Sequence, residues 1–418
     1  MTWKVIRRAL FVAASCVLLS GCLGPPAVNR ALLQYDQSLL QSQAGSLLVN
    51  IARVHEGLPL HFIVPGQISA SFEFSARAGA TPTVGSEPNK YVLDLGVGVA
   101  EKPTLTFAVL QGQDYTERLF GSLGDKFLFF LHRRGSDLSL LLRLMARGFY
   151  DFHGGPRARS ENVPGTPQYL EFRQIVLHLE VLLRLRELQV NRLDYFEEVQ
   201  EMISPEAPKA ADLIAAAEKG YRWKTVNKDG TRTAVLEKRI EGMIALTNFD
   251  PQGRLTDTHR KVIHDAFAPG ARDTVYVELT RTENNPRELK GYFRVRSLRD
   301  VFLFLGRDVE KEKAHPVKPW KETEALLQAH PDIALCRPCV TFEVMRGDDA
   351  PQGEPYAISY KGTWVWVPIR AKDPLNSEEK AQADWNREIF LILYNIFQAS
   401  AVDTSKLLTP PVLTIPIR

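Results

Sequence analysis

The residues able to do chemistry in this 418-residue chain are four cysteines and a scatter of carboxylates, histidines and tryptophans. Cys336-Arg337-Pro338-Cys339 sets two thiols three positions apart. In an oxidising compartment such a pair closes a small-loop disulfide that pins a turn. The same spacing also lets one thiol lower the pKa of the other and exchange with a substrate disulfide. Motifs of that redox type open a helix, however, whereas Val340-Thr341-Phe342-Glu343-Val344 alternates like a strand. Zinc needs about four ligands, and without a second close cysteine pair only His315 and His330 lie nearby, so no metal site is assigned.

Asp194-Tyr195-Phe196-Glu197-Glu198 places carboxylates beside aromatics, the ingredients of a glycosidase acid and base. A charge run of this size is normally a solvated face, and no catalytic residue is assigned there. His259 and His264 are five apart, which on a helix puts them on different faces and disfavours a two-histidine metal site. His153-Gly154-Gly155 has the composition of part of an esterase oxyanion loop, but with no Gly-x-Ser-x-Gly elbow it reads as a glycine turn. Trp364 and Trp366 share one face of a strand, as core or as an exposed aromatic pair for a sugar or a partner. His-Glu-x-x-His, the Walker loop and the dinucleotide fingerprint are also missing, so the motif-bearing hydrolase and nucleotide classes lose weight and no cofactor is expected.

The N-terminus is more specific. Lys4, Arg7 and Arg8 precede an apolar stretch from Ala9 to Leu19, the pattern of an export signal. About eleven apolar residues fall short of the roughly twenty that a helix needs to span a bilayer. The stretch ends in Leu19-Ser20-Gly21-Cys22, which resembles the lipobox of bacterial lipoproteins in residue types, spacing and position. That resemblance implies removal of residues 1–21 and diacylglycerol on the Cys22 thiol, with further acylation of its amino group. Two or three acyl chains make attachment practically permanent, at about 0.8 kcal/mol per buried methylene. Leu23 after the lipidated cysteine, rather than Asp, implies by the same resemblance the outer membrane of a two-membrane cell, the body facing the periplasm. Cys16 leaves with the signal, so Cys336 and Cys339 are the free pair of the mature chain.

Charge bears on the partner. The 52 basic residues fall to 49 once Lys4, Arg7 and Arg8 are removed, matching 49 acidic ones. A neutral body has no long-range field to draw in nucleic acid, which is not expected as a partner.

The elements that must position these residues are legible from periodicity. Residues 22–28 read as a lipidated spacer, followed by a long helix over Asn29–His55 with Leu32, Leu39, Leu47, Ile51 and Val54 apolar. Alternation predicts strands at Ile68–Phe74, Tyr91–Val99 and Leu105–Val109, forming an antiparallel sheet with one wet face. Ser136 is expected to cap a helix with Leu138, Leu141, Leu142, Met145 and Phe149 along one stripe. Turn-rich residues 154–167 suggest a linker between an N-terminal half (29–153) and a C-terminal half (168–418). In the second half, Pro167 starts a helix, and hairpins surround Asp229-Gly230 and Lys361-Gly362. Ser297 caps a helix that Gly306 stops, and Asn376 with Glu379 opens a long C-terminal helix. Residues 310–337 read as a charged, exposed excursion, and 412–416 as an edge strand.

The order of lipobox, Leu47–Arg53 helix, Thr106-Phe107 with Leu110-Gln111-Gly112, Leu138–Met145 helix, Arg296-Ser297-Leu298 with Leu305-Gly306, and Tyr360-Lys361-Gly362 is similar to a recurring group of bacterial lipoproteins without assigned activity. That likeness spans most of the mature chain and carries no catalytic residue. The expected fold is α+β, with antiparallel sheets and packed helices in two halves. The expected function is an outer-membrane lipoprotein, bound to the membrane through its lipid anchor, that serves as a non-enzymatic assembly or accessory protein for an envelope protein partner. The alternatives are an envelope hydrolase acting on cell-wall or lipid material and a small-ligand-binding lipoprotein.

Overall fold

Two prolines, Pro25 and Pro26, sit in the first turn of a 32-residue helix, α1 (Gly24–His55), where a missing backbone N–H costs nothing. The expected spacer is therefore helical from Gly24 onward. This computed structural model describes residues 24–83, 90–152, 159–202, 208–228, 231–267, 273–333, 340–401 and 413–416. Along α1, Leu32, Leu33 and Leu40 are exposed, whereas Leu47, Leu48, Ile51 and Val54 are buried at helical spacing. The helix thus begins in solvent and ends in the core. Asn50 locks the exit by donating from Nδ2 to the His61 carbonyl and accepting at Oδ1 from the His61 N–H.

Strands β1 (Ile63–Thr83) and β2 (Lys90–Val109) form one long antiparallel hairpin. The two strands expected at 91–99 and 105–109 are a single strand. Helices α2 (Gln113–Phe120), α3 (Asp125–Arg133) and α4 (Leu138–Met145) follow. Asp137, rather than Ser136, caps α4 by accepting from the Ser139 and Leu140 N–H groups. All eight residues of α4 are buried, so it packs on every side instead of along one stripe. Phe149 lies beyond it, on β3 (Ala146–Asp151), which pairs with β4 (Arg159–Glu161).

Helix α5 (Pro167–Arg184) starts at the expected proline and leads to β5 (Gln189–Arg192). Strand β6 (Tyr195–Met202), helix α6 (Ala210–Glu218), β7 (Tyr221–Lys228) and β8 (Thr231–Ile240) make a small sheet of order β6-β8-β7. Then come β9 (Ile244–Thr247), the single turn α7 (Pro251–Arg254), α8 (Asp257–Phe267), β10 (Thr274–Leu279) and β11 (Leu289–Val295). Ser297 caps α9 (Leu298–Leu303) as expected. Gly306 does not stop it: the chain continues as a π turn over Phe304–Asp308 and a 3-10 helix over Val309–Ala314. A Cβ on Gly306 would stand 2.7 Å from Val54 Cγ1 and 2.9 Å from the Ile51 carbonyl oxygen. The glycine is there to let α1 approach.

Helix α10 (Lys321–Ala329) precedes β12 (Met345–Gly347), β13 (Ala357–Tyr360) and β14 (Thr363–Trp366), a sheet of order β12-β14-β13. Lys361 and Gly362 turn between β13 and β14 with φ of 52° and 87°, the left-handed pair that a two-residue hairpin requires. Helix α11 (Ser377–Ala401) buries Trp385, Ile389, Ile392, Leu393 and Ile396 as predicted. Strand β15 (Leu413–Pro416) pairs with Thr104–Phe107 at the edge of the hairpin sheet.

The central sheet has the order β4-β3-β11-β10-β9-β5 and is antiparallel except for the β9–β10 pair. The α+β class holds. Across residues 154–167, β3 pairs with β11, and one core takes in α1, α4, α5, α9 and α11.

Candidate functional site

Of the sequence candidates, Cys22 with Leu19, Ser20 and Gly21, the Cys336 and Cys339 pair, and His153 with its glycines lie outside the described residues. Asp194 and Glu197 are assembled with arginine and lysine rather than with each other. Asp194 accepts from Arg192 at 2.6 Å and from Arg239 at 2.5 Å, and Glu197 pairs with Lys261. His259 is exposed, while the His264 ring packs on Tyr195 with centroids 5.5 Å apart. Among the described residues no cluster of three potential metal ligands occurs.

The segment read as an exposed excursion instead contributes a buried centre. Glu312, on the 3-10 helix, has no exposure. Its Oε1 accepts from Tyr169 Oη at 2.6 Å, Thr341 Oγ1 at 2.9 Å and Arg173 Nη1 at 3.1 Å, and its Oε2 accepts from the Thr341 N–H. Arg143 donates from Nε to Thr341 Oγ1 at 3.0 Å and stacks over Trp385. Burial pushes the Arg143 guanidinium down to about 10, against the pull of Glu312. A buried charge persists only when its lone pairs and protons are met, which is what these contacts do. The network pins the 3-10 helix and residues 340–344, which form no strand despite their alternation, onto α4 and α5.

Next to Glu312, Lys313 faces outward and forms a 2.6 Å ion pair with Glu343. These two residues stand at the wall of a groove of about 930 Å³, floored by Val340, Trp366 and Asn386 and rimmed by Arg370. The backbone N–H of Glu343 donates to Asn386 Oδ1, and Asn386 Nδ2 donates to the Pro368 carbonyl, so the floor is fixed by α11. Val365 is buried, and strand alternation leaves Trp364 and Trp366 half-buried on the opposite face. The tryptophan pair is therefore not core.

A second group of acids surrounds the α4 cap. Asp137 pairs with Arg184 at 2.8 Å, and its N–H donates to Glu388 Oε1 at 3.3 Å. Glu180, buried nearby, is pushed up to about 7, first by desolvation and then by the charge of Asp137. Glu388 is also raised, chiefly by burial.

No family model, curated protein or solved structure matches this chain. Among the described residues no helix is long and apolar enough to cross a membrane.

The groove offers an indole face, an amide floor and charges of both signs: Lys313, Arg370 and Lys372 against Glu343, Glu354, Glu378 and Glu379. Such a lining suits recognition of a mixed-charge segment better than proton transfer or phosphate binding. Sequence reasoning missed Glu312 and Asn386 because their partners lie far away in the chain, at Tyr169, Arg173 and Thr341 for one and at Glu343 and Pro368 for the other.

Proposed function

We propose that this chain is an outer-membrane lipoprotein, held by acyl chains on Cys22, that acts as a non-enzymatic assembly component for another envelope protein. The observation that carries the reading is the continuity of α1. It starts at Gly24, two residues after the lipobox cysteine, and runs unbroken into the core through Leu47, Ile51 and Val54. Its first twenty residues would hold the body about 30 Å from the anchored end. Tethering makes partner binding a surface event at raised effective concentration. The groove around Trp366 supplies the contact: a segment bearing both signs of charge and one apolar side chain meets Lys313, Arg370, Glu354 and the indole.

The test is made in cells. The native chain incorporates labelled palmitate and pellets with the envelope, whereas Cys22→Ser takes up none. Crosslinking through a photoreactive residue in place of Lys372 captures an envelope protein, and Trp366→Ala lowers that yield about tenfold, the loss expected of an aromatic anchor. A native chain that takes up no palmitate sinks the anchor. Capture that ignores Trp366 sinks the groove.

A further inference from the structure

The β1–β2 hairpin is far longer than its sheet needs. Pairing runs without interruption from Ile68 opposite Leu105 to Thr83 opposite Lys90, yet β15 covers β2 only over Thr104–Phe107. Beyond that, among the described residues, the hairpin is two-stranded and both outer edges are unpaired.

The register sorts its residues into two unlike faces. Opposed positions share a face, so Phe74/Val99, Ala76/Val97, Ala78/Leu95, Ala80/Leu93 and Pro82/Tyr91 lie together. The other face takes Glu73/Ala100, Ser75/Gly98, Arg77/Gly96, Gly79/Asp94 and Thr81/Val92. The apolar face is free of charge over nine residues of each strand, with Phe74 at one end and Tyr91 at the other. A transmembrane β-strand needs about nine to eleven residues with this dyad alternation and aromatic residues at both interfaces.

We propose that the hairpin crosses the outer-membrane bilayer as one unit of a β-barrel built from the same hairpin of several copies of this chain. It rests on the outer-membrane reading above. The Ala76/Val97 face meets acyl chains, and the Arg77/Gly96 face lines water. A lone hairpin cannot enter hydrocarbon, because every unpaired backbone group on its edges would cost several kcal/mol. A second copy solves this: β1 of one chain beside β2 of the next continues the antiparallel order, and head-to-tail contacts of this type close into a ring. Eight strands, the smallest number in such barrels, set a lower limit of about four copies.

The experiment uses the full mature chain, both acylated and as Cys22→Ser, with Cys336→Ser and Cys339→Ser to remove background thiols. Single cysteines replace Ala76, Ala78 and Ala80 on one face and Ser75, Arg77 and Gly79 on the other. Each protein is reconstituted into calcein-loaded vesicles of phosphatidylethanolamine and phosphatidylglycerol and treated with a charged maleimide. The alanine positions should label about tenfold more slowly than their neighbours, in a period of two, as expected for lipid-facing residues. The vesicles should leak dye, and Ala78→Arg should cut that leak about tenfold while Ser75→Arg leaves it. Equal labelling of both faces in vesicles, no leak, or the same protection of Cys22→Ser in buffer without lipid would each overturn the proposal. Alternation and leak in vesicles for both forms, with no palmitate on the native chain in cells, uphold the barrel and discard only the anchor.

Discussion

Tyr169 Oη lies 2.6 Å from Glu312 Oε1, and both side chains are wholly buried. The phenol donates to a carboxylate that already neutralises Arg173 at 3.1 Å, so the pair joins α5 to the 3-10 helix where hydrophobic contacts alone would not fix the register. Glu312→Ala leaves buried guanidinium charge uncompensated and should lower stability by about 3–5 kcal/mol, while Tyr169→Phe should lose only about 1–2 kcal/mol. Urea unfolding of the two variants beside the native chain reads the difference. Equal losses would show that the charge is not the larger effect.

Glu180 makes stability depend on pH in an unusual sense. Its carboxyl is held at about 7 in the folded chain, against an ordinary value near 4.5. Between these values the folded state binds more protons than the unfolded one, so this group's contribution worsens as pH rises from 4.5 and is at its worst above 7. Glu180→Gln should therefore raise the urea midpoint at pH 8, by up to about 3 kcal/mol in stability, and leave it unchanged at pH 4. An equal gain at both pH values would mean that the carboxylate is solvated in the folded chain.

His178 acts in the opposite direction. Asn285 Nδ2 donates to the Thr280 and Arg287 carbonyls, so Asn285 Oδ1 accepts from His178 Nε2 at 3.0 Å, and Nδ1 takes the Thr323 hydroxyl at 2.9 Å. Burial pushes this imidazole below its ordinary value of 6.5. Below pH 6.5 the unfolded chain gains a proton that the folded chain refuses, and stability is lost on acidification. In a Glu180→Gln background, His178→Gln should flatten the fall between pH 6.5 and 5, as followed by urea midpoints.

Gly306→Ala places a methyl group where Val54 Cγ1 and the Ile51 carbonyl oxygen already stand. Neither can retreat cheaply, because Arg307 Nε donates to the Val54 carbonyl at 3.2 Å and His55 Nδ1 lies 3.1 Å from the Gly306 carbonyl. Overpacking of this kind costs about 1–3 kcal/mol. Amide exchange should quicken in the last two turns of α1 and around residues 304–308, with α11 less affected.

Local chemistry was the part of the fold that the sequence made legible. The Ser297 cap, Pro167 at a helix start, the Lys361-Gly362 turn and the apolar stripe of α11 each depend on residues within a few positions of one another. What depends on distant partners was not. Residues 310–337 are rich in charge and read as solvated, yet Glu312 is buried because Tyr169, Arg173 and Thr341 converge on it from other elements. The glycines and prolines of 154–167 have the composition of a boundary, but β4 lies within that segment and pairs with β3, which pairs in turn with β11 far along the chain. Gly306 has the composition of a helix stop and serves a helix contact instead. For the groove, Trp366 could be named from alternation, but Asn386, which fixes its floor, could not.

The seamless passage of α1 from solvent into the core leaves no swivel between the two. A residue removed from the exposed stretch would turn everything upstream by about 100° relative to the body and shorten the arm by about 1.5 Å, whereas removal of seven would restore the phase to within about 20°. The helix therefore sets an azimuth as well as a height, and deletions in it should act with a rhythm of roughly seven rather than in proportion to their length.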